Sequence, residues 1–369
     1  MTTSEALFFV GKCLTLGHCP DKIEEVRVAI RNGLVEWEKI VWISTGAFVF
    51  PALYLQFKWA GLLDELPSDL AAYMDEVTRL NCERNLKIID QAHEINALLN
   101  KHGISPVFLK GTAHLLDGLY GDIAERMVGD IDLLVDGNKM VRAAEILISK
   151  GYQPLAVYNP KDLKMTKHYP RLTNKSREAA VEIHRELLPY PYNKKFSCEA
   201  ILRSGMRFSN LSPLCVFNNE NQIIHNILNV QVNDMGYYYA GIFLRQSYDL
   251  FLLSQRENPL KVVKEFGRFF HQMNGNLAVT KMLLDYPGII TFEPTWQSRM
   301  FVKRIMRNIN HPGWERLSHF ILYLIIRFSN YAHLLGQITH NKDLRSSLYT
   351  RMCNPKWYGD HLRSYRTIY

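Results

Sequence analysis

The chain has 369 residues, of which 47% are hydrophobic and 22% are charged, an ordinary balance that argues against extensive disorder. Its six cysteines include no CxxC pair, so the sequence predicts neither a zinc site nor a dense disulfide scaffold, and reduced thiols in the cytoplasm fit best. The net charge of +8 comes from residues 295–369, which hold twelve Lys and Arg against three Asp and Glu. Such a region is compatible with RNA, with a nucleotide or with simple solvation.

Two apolar runs are too short or too interrupted to be membrane segments. Residues 40–57 are interrupted by serine, threonine, glycine and proline, and residues 320–326 fall far short of the roughly 20 apolar residues that a span needs. The N-terminus has no basic region of the kind that precedes a signal sequence. We therefore expect no membrane span and a cytoplasmic location.

The apolar spacing predicts an α+β protein in three parts. Residues 1–102 have helical periodicity, with a long helix at about 70–101. Residues 103–197 mix strands and helices, and residues 198–369 are again helical and end in the basic tail. In the middle part, strands are predicted at 106–109, 130–135, 154–158, 168–173 and 179–184, with helices at 113–119 and 138–150.

Two carboxylates lie one residue apart on the strand Asp130–Val135. Alternate side chains of a strand share a face, so Asp130 and Asp132 point the same way. Like charges this close repel each other, and a cation between them is the usual reason for such a pair. Glu182 lies on a later strand with His184 on its own face, and three carboxylates offer the oxygen ligands that Mg²⁺ or Mn²⁺ prefers.

A second feature precedes this strand. Residues Lys110, Gly111 and Thr112 follow a short predicted strand and lead into a helix. Free N–H groups at the start of a helix are a natural anion site, so this turn is a candidate phosphate-binding element. A metal-binding strand beside a phosphate-binding turn indicates chemistry on a nucleoside triphosphate.

These motifs resemble those of the bacterial nucleotidyltransferases of the DNA polymerase beta superfamily, and in particular a poorly characterised branch with a KG turn and an RxxxDxDLLV strand. The resemblance covers roughly residues 35–255. It rests on Lys110-Gly111-Thr112, Leu119-Tyr120, Arg126-x-x-x-Asp130-Ile131-Asp132-Leu133-Leu134-Val135, Gly151-Tyr152 and Val181-Glu182-Ile183-His184. It implies a mixed nucleotidyltransferase sheet flanked by helical N- and C-terminal regions.

The resemblance also implies roles for individual residues. Asp130 and Asp132 would coordinate two divalent ions, and Glu182 would complete the shell of the catalytic ion and accept the proton of the acceptor. Gly111 and Thr112 would present backbone N–H groups and a hydroxyl to the β- and γ-phosphates.

For the remaining candidates the residues leave alternatives open. Lys110 would either neutralise the triphosphate or pair with Asp130. Arg126 would bind a phosphate or, slightly favoured, buttress the carboxylates. For His184 we favour a supporting contact that holds Glu182 over a direct contact with substrate.

The predicted function is a metal-dependent nucleotidyltransferase that transfers an NMP group from an NTP and releases pyrophosphate. The alternatives are a phosphotransferase acting at the γ-phosphate and a non-catalytic, nucleotide-binding regulatory or toxin–antitoxin component. The NTP is the one partner that the sequence indicates. The acceptor, whether small molecule, protein or RNA, the base preference and the oligomeric state are left open.

Overall fold

The computed structural model describes residues 1–155, 166–286, 288–338 and 353, with side chains omitted for residues 329–338. The chain divides into two compact units. The first comprises residues 1–157 and 167–312 and contains the sheet, and the second comprises residues 158–166 and 313–369. Of the predicted features, the end of the strand at 154–158 and residues 339–352 and 354–369 of the basic region lie outside the described residues.

Helices make up most of the chain. Those before the sheet are α1 (Thr3–Cys13), α2 (Asp21–Arg31), α3 (Trp37–Gly46), α4 (Phe50–Trp59) and α5 (Ser68–Lys101). Those between the strands are α6 (Lys110–Leu116), α7 (Met140–Ile148) and α8 (Cys198–Ser204). After the sheet come α9 (Asn219–Leu228), a π-turn (Asn229–Asn233), α10 (Gly236–Tyr239), α11 (Leu244–Ser254), α12 (Pro259–Phe266), α13 (Phe270–Leu284), α14 (Trp296–Asn310) and α15 (Pro312–Ile338).

In the described part of the chain, seven strands form one mixed sheet in the order β3-β4-β5-β2-β1-β7-β6. Their bounds are β1 (Val107–Phe108), β2 (Asp130–Leu134), β3 (Gln153–Pro154), β4 (Leu172–Thr173), β5 (Ala180–His184), β6 (Met206–Phe208) and β7 (Cys215–Phe217). The pairs β2–β5 and β1–β7 are parallel, and the other neighbours are antiparallel. The α+β class and the helix-flanked mixed sheet predicted from the sequence are confirmed.

The sheet also extends beyond the predicted middle part. Strands β6 and β7 lie between residues 206 and 217, where the sequence analysis expected helices. Each has only three residues, too few for an alternating pattern to be recognised. The pairing of β7 with β1, and of β6 with β7, stabilises strands that their local sequence does not predict. The three-part division of the chain remains a prediction.

The long helix α5 holds the site-bearing segments through buried amides. Asn81 donates to the carbonyl of Ala124 at 2.7 Å, and Asn85 donates to the carbonyl of Arg126 at 2.8 Å. Gln91 both donates to and accepts from the backbone of Ala179, at 2.8 and 3.0 Å. These bonds satisfy backbone groups that burial would otherwise leave unpaired, and they fix the chain just before β2 and β5.

No helix in the described residues combines the length and the hydrophobicity that crossing a membrane requires.

Candidate active site

Strands β2 and β5 bring the predicted acidic residues together. The two strands run parallel, and Asp132 lies directly opposite Glu182 in the register. His184 follows Glu182 on the same face of β5, because alternate residues of a strand share a face. One ligand atom each from Asp132, Glu182 and His184 lies within 4.8 Å of the others. On the opposite face, Ile131 and Leu133 are fully buried, so the core fixes which way the carboxylates point.

Asp132 is the most enclosed of the carboxylates. Its Oδ1 accepts from Lys110 Nζ at 2.7 Å and lies 2.7 Å from His184 Nε2. Burial alone would raise the pKa of Asp132, but the charge of Lys110 and the hydrogen bond of His184 outweigh it, and the pKa falls below its ordinary value. The Oδ2 atom has no hydrogen-bond partner among the described residues, so one oxygen of this carboxylate is open.

The other two carboxylates have different surroundings. Asp130 Oδ2 pairs with Arg171 Nη2 at 3.0 Å. Burial, together with the charges of Asp132 and Glu182, raises the pKa of Asp130. The proximity of His184 lowers the pKa of Glu182, but its Nε2 lies 3.6 Å from Glu182 Oε2, beyond hydrogen-bond distance. His184 is therefore closer to Asp132 than to Glu182, the residue that it was predicted to hold.

The Lys110–Thr112 turn lies beside these carboxylates. Lys110 has a positive φ of 52°, a backbone conformation that is unfavourable for a residue with a side chain. Its ammonium group contacts Asp132 rather than Asp130. A cleft lies in front of β2, and Gly111 is one of the residues that line it. Thr112 is buried, and its hydroxyl donates to the carbonyl of Asp130 at 3.1 Å, so it anchors β2.

Arg126 also lines the cleft, but it does not buttress the strand carboxylates. Its Nη2 donates to Asp249 Oδ2 on α11 at 2.9 Å, and its Nη1 donates to the Met127 carbonyl at 2.7 Å. The hydroxyl of Tyr120 donates to the same carboxylate. Burial opposes the ionisation of Asp249, but the charge of Arg126 outweighs it and lowers the pKa of the carboxyl.

Other polar residues of the site were missed by the sequence analysis. Arg171 has no motif around it, and only the pairing of β4 with β5 brings it to Asp130. Arg245, Asn226 and Gln246 line the cleft from α9 and α11. No local signal distinguishes these side chains from the polar face of an ordinary helix. His225 lines the cleft too, between the rings of Phe196 and Phe217.

The sequence model of a family described as "uncharacterised nucleotidyltransferase" matches residues 34–264. The chain belongs to this family. Its general activity is thus the transfer of a nucleotidyl group from an NTP, while the assignment to the wider polymerase beta superfamily stays a prediction. No curated protein matches the chain.

The donor set also suits the ions that such chemistry uses. Carboxylate oxygens from β2 and β5 are the ligands that Mg²⁺ and Mn²⁺ prefer, and an imidazole nitrogen is compatible with Mn²⁺. The open oxygen of Asp132 and the nearby carboxylate of Glu182 leave room for such a ligand role.

Proposed function

We propose that this member of the family transfers an NMP group from an NTP to an acceptor hydroxyl or another nucleophile and releases pyrophosphate. In this proposal Asp130, Asp132 and Glu182 hold two divalent ions, Mg²⁺ or Mn²⁺. The observation that carries it is the direct pairing of Asp132 with Glu182 on adjacent parallel strands. This pairing brings acidic side chains from two distant parts of the sequence close together, with ligand atoms of Asp132 and Glu182 within 4.8 Å of each other.

Each residue then has a task that its position supports. The bound ions would neutralise the triphosphate and make the acceptor hydroxyl easier to deprotonate. Glu182 accepts the proton from that hydroxyl. Lys110, 2.7 Å from Asp132, neutralises negative charge at the phosphates, and Gly111 leaves the cleft open next to it. His184 keeps Asp132 in place through its 2.7 Å contact.

The test is incubation with each α-labelled NTP and Mg²⁺ or Mn²⁺, with cell extract as the pool of acceptors. We expect one labelled fraction and stoichiometric pyrophosphate. Asp132→Asn should lower labelling by about 10²–10³-fold or more, because a neutral amide is a poor ligand for a hard cation. Asp130→Asn should have the same effect. Glu178→Gln, on the exposed loop before β5, is the matched acidic control and should label normally.

Other outcomes of this test would support one of the alternative functions or contradict the metal assignment. A label that is transferred only from γ-labelled NTP would indicate a phosphotransferase. Nucleotide binding without any product would indicate a regulatory component. Undiminished labelling in Asp132→Asn would remove the metal assignment.

A further inference from the structure

The active-site cleft contains several buried polar atoms that have no partner. Four side chains that line it have an atom without a hydrogen bond to any described residue: Arg126 Nε, Arg245 Nε, His114 Nδ1 and Gln222 Oε1. Burying a polar atom without a partner destabilises a fold, so proteins keep few of them. Two of the four are arginine nitrogens, so the wall of this cleft holds two cations whose hydrogen bonding is incomplete among the described residues.

The two arginines in this group differ in how their charge is balanced. Arg126 has an ion pair with Asp249 at 2.9 Å. Arg245 has no ion pair with any described residue. Its contacts are a long 3.4 Å hydrogen bond to the Met127 carbonyl and the ring of Phe48, whose centroid lies 5.0 Å from its Cζ. Among the described residues, Arg245 is therefore a half-buried cation that has no ion-pair partner.

The position of Arg245 adds to this imbalance. It lies in the first turn of α11, where the helix dipole is itself positive. Burial and the charge of Arg126 lower the pKa of Arg245, which is the sign of a cation in unfavourable surroundings. Asp249 and Asp130 act in the opposite direction, so Arg245 is close enough to sense one of the strand carboxylates.

We propose that Arg245 and Arg126 form an anion subsite that binds the terminal phosphates of the NTP. This inference rests on the proposed function, because the triphosphate is the anion that the reaction brings into this cleft. Guanidinium groups present paired N–H donors that match phosphate oxygens. Gly111 lies against this place, since a Cβ atom there would be in van der Waals contact with Arg126 Cζ at 3.5 Å. Arg245 is thus a substrate-binding residue contributed by the helical region after the sheet.

The probe is inorganic tripolyphosphate, with its binding to the full chain measured by calorimetry in EDTA. Arg245→Met should weaken binding at least about tenfold, as expected for the loss of a charged hydrogen bond to phosphate. The same variant without ligand should melt at the wild-type temperature or above, because an unbalanced cation has been removed. Arg203→Met, at an exposed arginine on α8, is the control and should bind tripolyphosphate like the wild type.

If Arg245 has only a structural role, the opposite result is expected. Tripolyphosphate affinity within twofold of wild type in Arg245→Met overturns the proposal. If Arg245→Met does not fold, Arg245→Gln, which removes the charge and keeps a polar side chain, decides in the same way. Asp132→Asn should still bind tripolyphosphate, so loss of transfer and loss of the subsite can be told apart.

Discussion

A buried aspartate lies near each end of helix α6, and each has two partners that are basic or imidazole side chains. The two aspartates differ in whether one carboxylate oxygen is left without a partner. At the start of the helix, Lys110 and His184 share one oxygen of Asp132, and the other oxygen is open. Just past its end, both oxygens of Asp117 are bound by Arg207, at 2.8 and 2.7 Å, and Arg256 adds a further bond. A saturated carboxylate stabilises the fold, whereas one with a free oxygen can still bind a ligand.

The largest expected effect comes from neutralising the saturated aspartate. Asp117→Asn leaves Arg207 and Arg256 facing a neutral amide, and breaking a buried ion pair in this way costs about 3–5 kcal/mol of unfolding free energy. Chemical denaturation of the wild type and the variant measures this loss. NMP transfer per folded molecule should change little, because Asp117 is not a ligand in the proposed reaction.

Asp132→Asn is the matched substitution at the other end of the helix. It should abolish transfer and cost less unfolding free energy than Asp117→Asn, because it also removes repulsion from Asp130 and Glu182. Equal destabilisation by the two variants, with equal loss of transfer, would show that the open oxygen does not distinguish the two sites.

A third buried carboxylate, that of Glu125, has no cationic partner among the described residues. Glu125 accepts from the hydroxyl of Tyr248 at 2.6 Å and from the Asp122 backbone N–H at 3.2 Å. Burial raises its pKa to about 7, above the ordinary 4.5. The folded state therefore binds the carboxyl proton of Glu125 more tightly than the unfolded state does. The stabilisation of the fold by this bound proton is complete below pH 4.5 and is lost as the pH rises to about 7.

Glu125→Gln should remove this pH dependence. We expect the wild type to lose up to about 3 kcal/mol of unfolding free energy through Glu125 between pH 4.5 and pH 7, and the variant to lose correspondingly less. Denaturation at a series of pH values measures the two slopes. Glu178→Gln, at the half-exposed partner of Arg84, is the control and should keep the wild-type slope. Identical slopes in Glu125→Gln and wild type would contradict a protonated Glu125.

The sequence predicts the acidic residues of the site better than its basic ones. Asp130 and Asp132 are recognisable because strand alternation gives them a common face, and the pattern around Glu182 and His184 places them on a second strand. Arg171 and Arg245 lie in segments with no distinctive pattern. Arg171 reaches Asp130 only because β4 pairs with β5, and Arg245 reaches the cleft only because α11 packs against α9. The partners of a long side chain depend on tertiary structure, which local periodicity does not encode.

The same reasoning explains the outcome for Arg126 and for the two short strands. Arg126 lies four positions before Asp130, which favoured a contact between them, but the folded chain directs the guanidinium to Asp249. Strand β7 forms because β1 offers an edge to pair with, and β6 forms by pairing with β7, whereas their own three-residue sequences carry no alternation. Elements with a strong local pattern were predicted, and those that depend on a distant partner were not.

The smallest expected effect concerns Gly111, at the open end of α6. In Gly111→Ala the new Cβ would lie 3.1 Å from Val128 and 3.5 Å from the guanidinium carbon of Arg126, so it would push on the cleft wall. We expect KM for the NTP to rise by about three- to tenfold, since a slight misplacement of a binding group weakens substrate positioning. Stability should fall by about 1 kcal/mol or less, because a small overpacking is relieved by movement toward the cleft.

Gly129→Ala is the matched control, because it lies next to Asp130 and a Cβ there would meet no atom within 4 Å. It should leave KM and the melting temperature close to those of the wild type. If both alanine variants raise KM equally, the effect comes from the loss of glycine flexibility near β2. If neither does, the Arg126 side of the cleft does not bind the nucleotide, and the start of α6 then differs from its end only in the carboxylates that are proposed to bind metal.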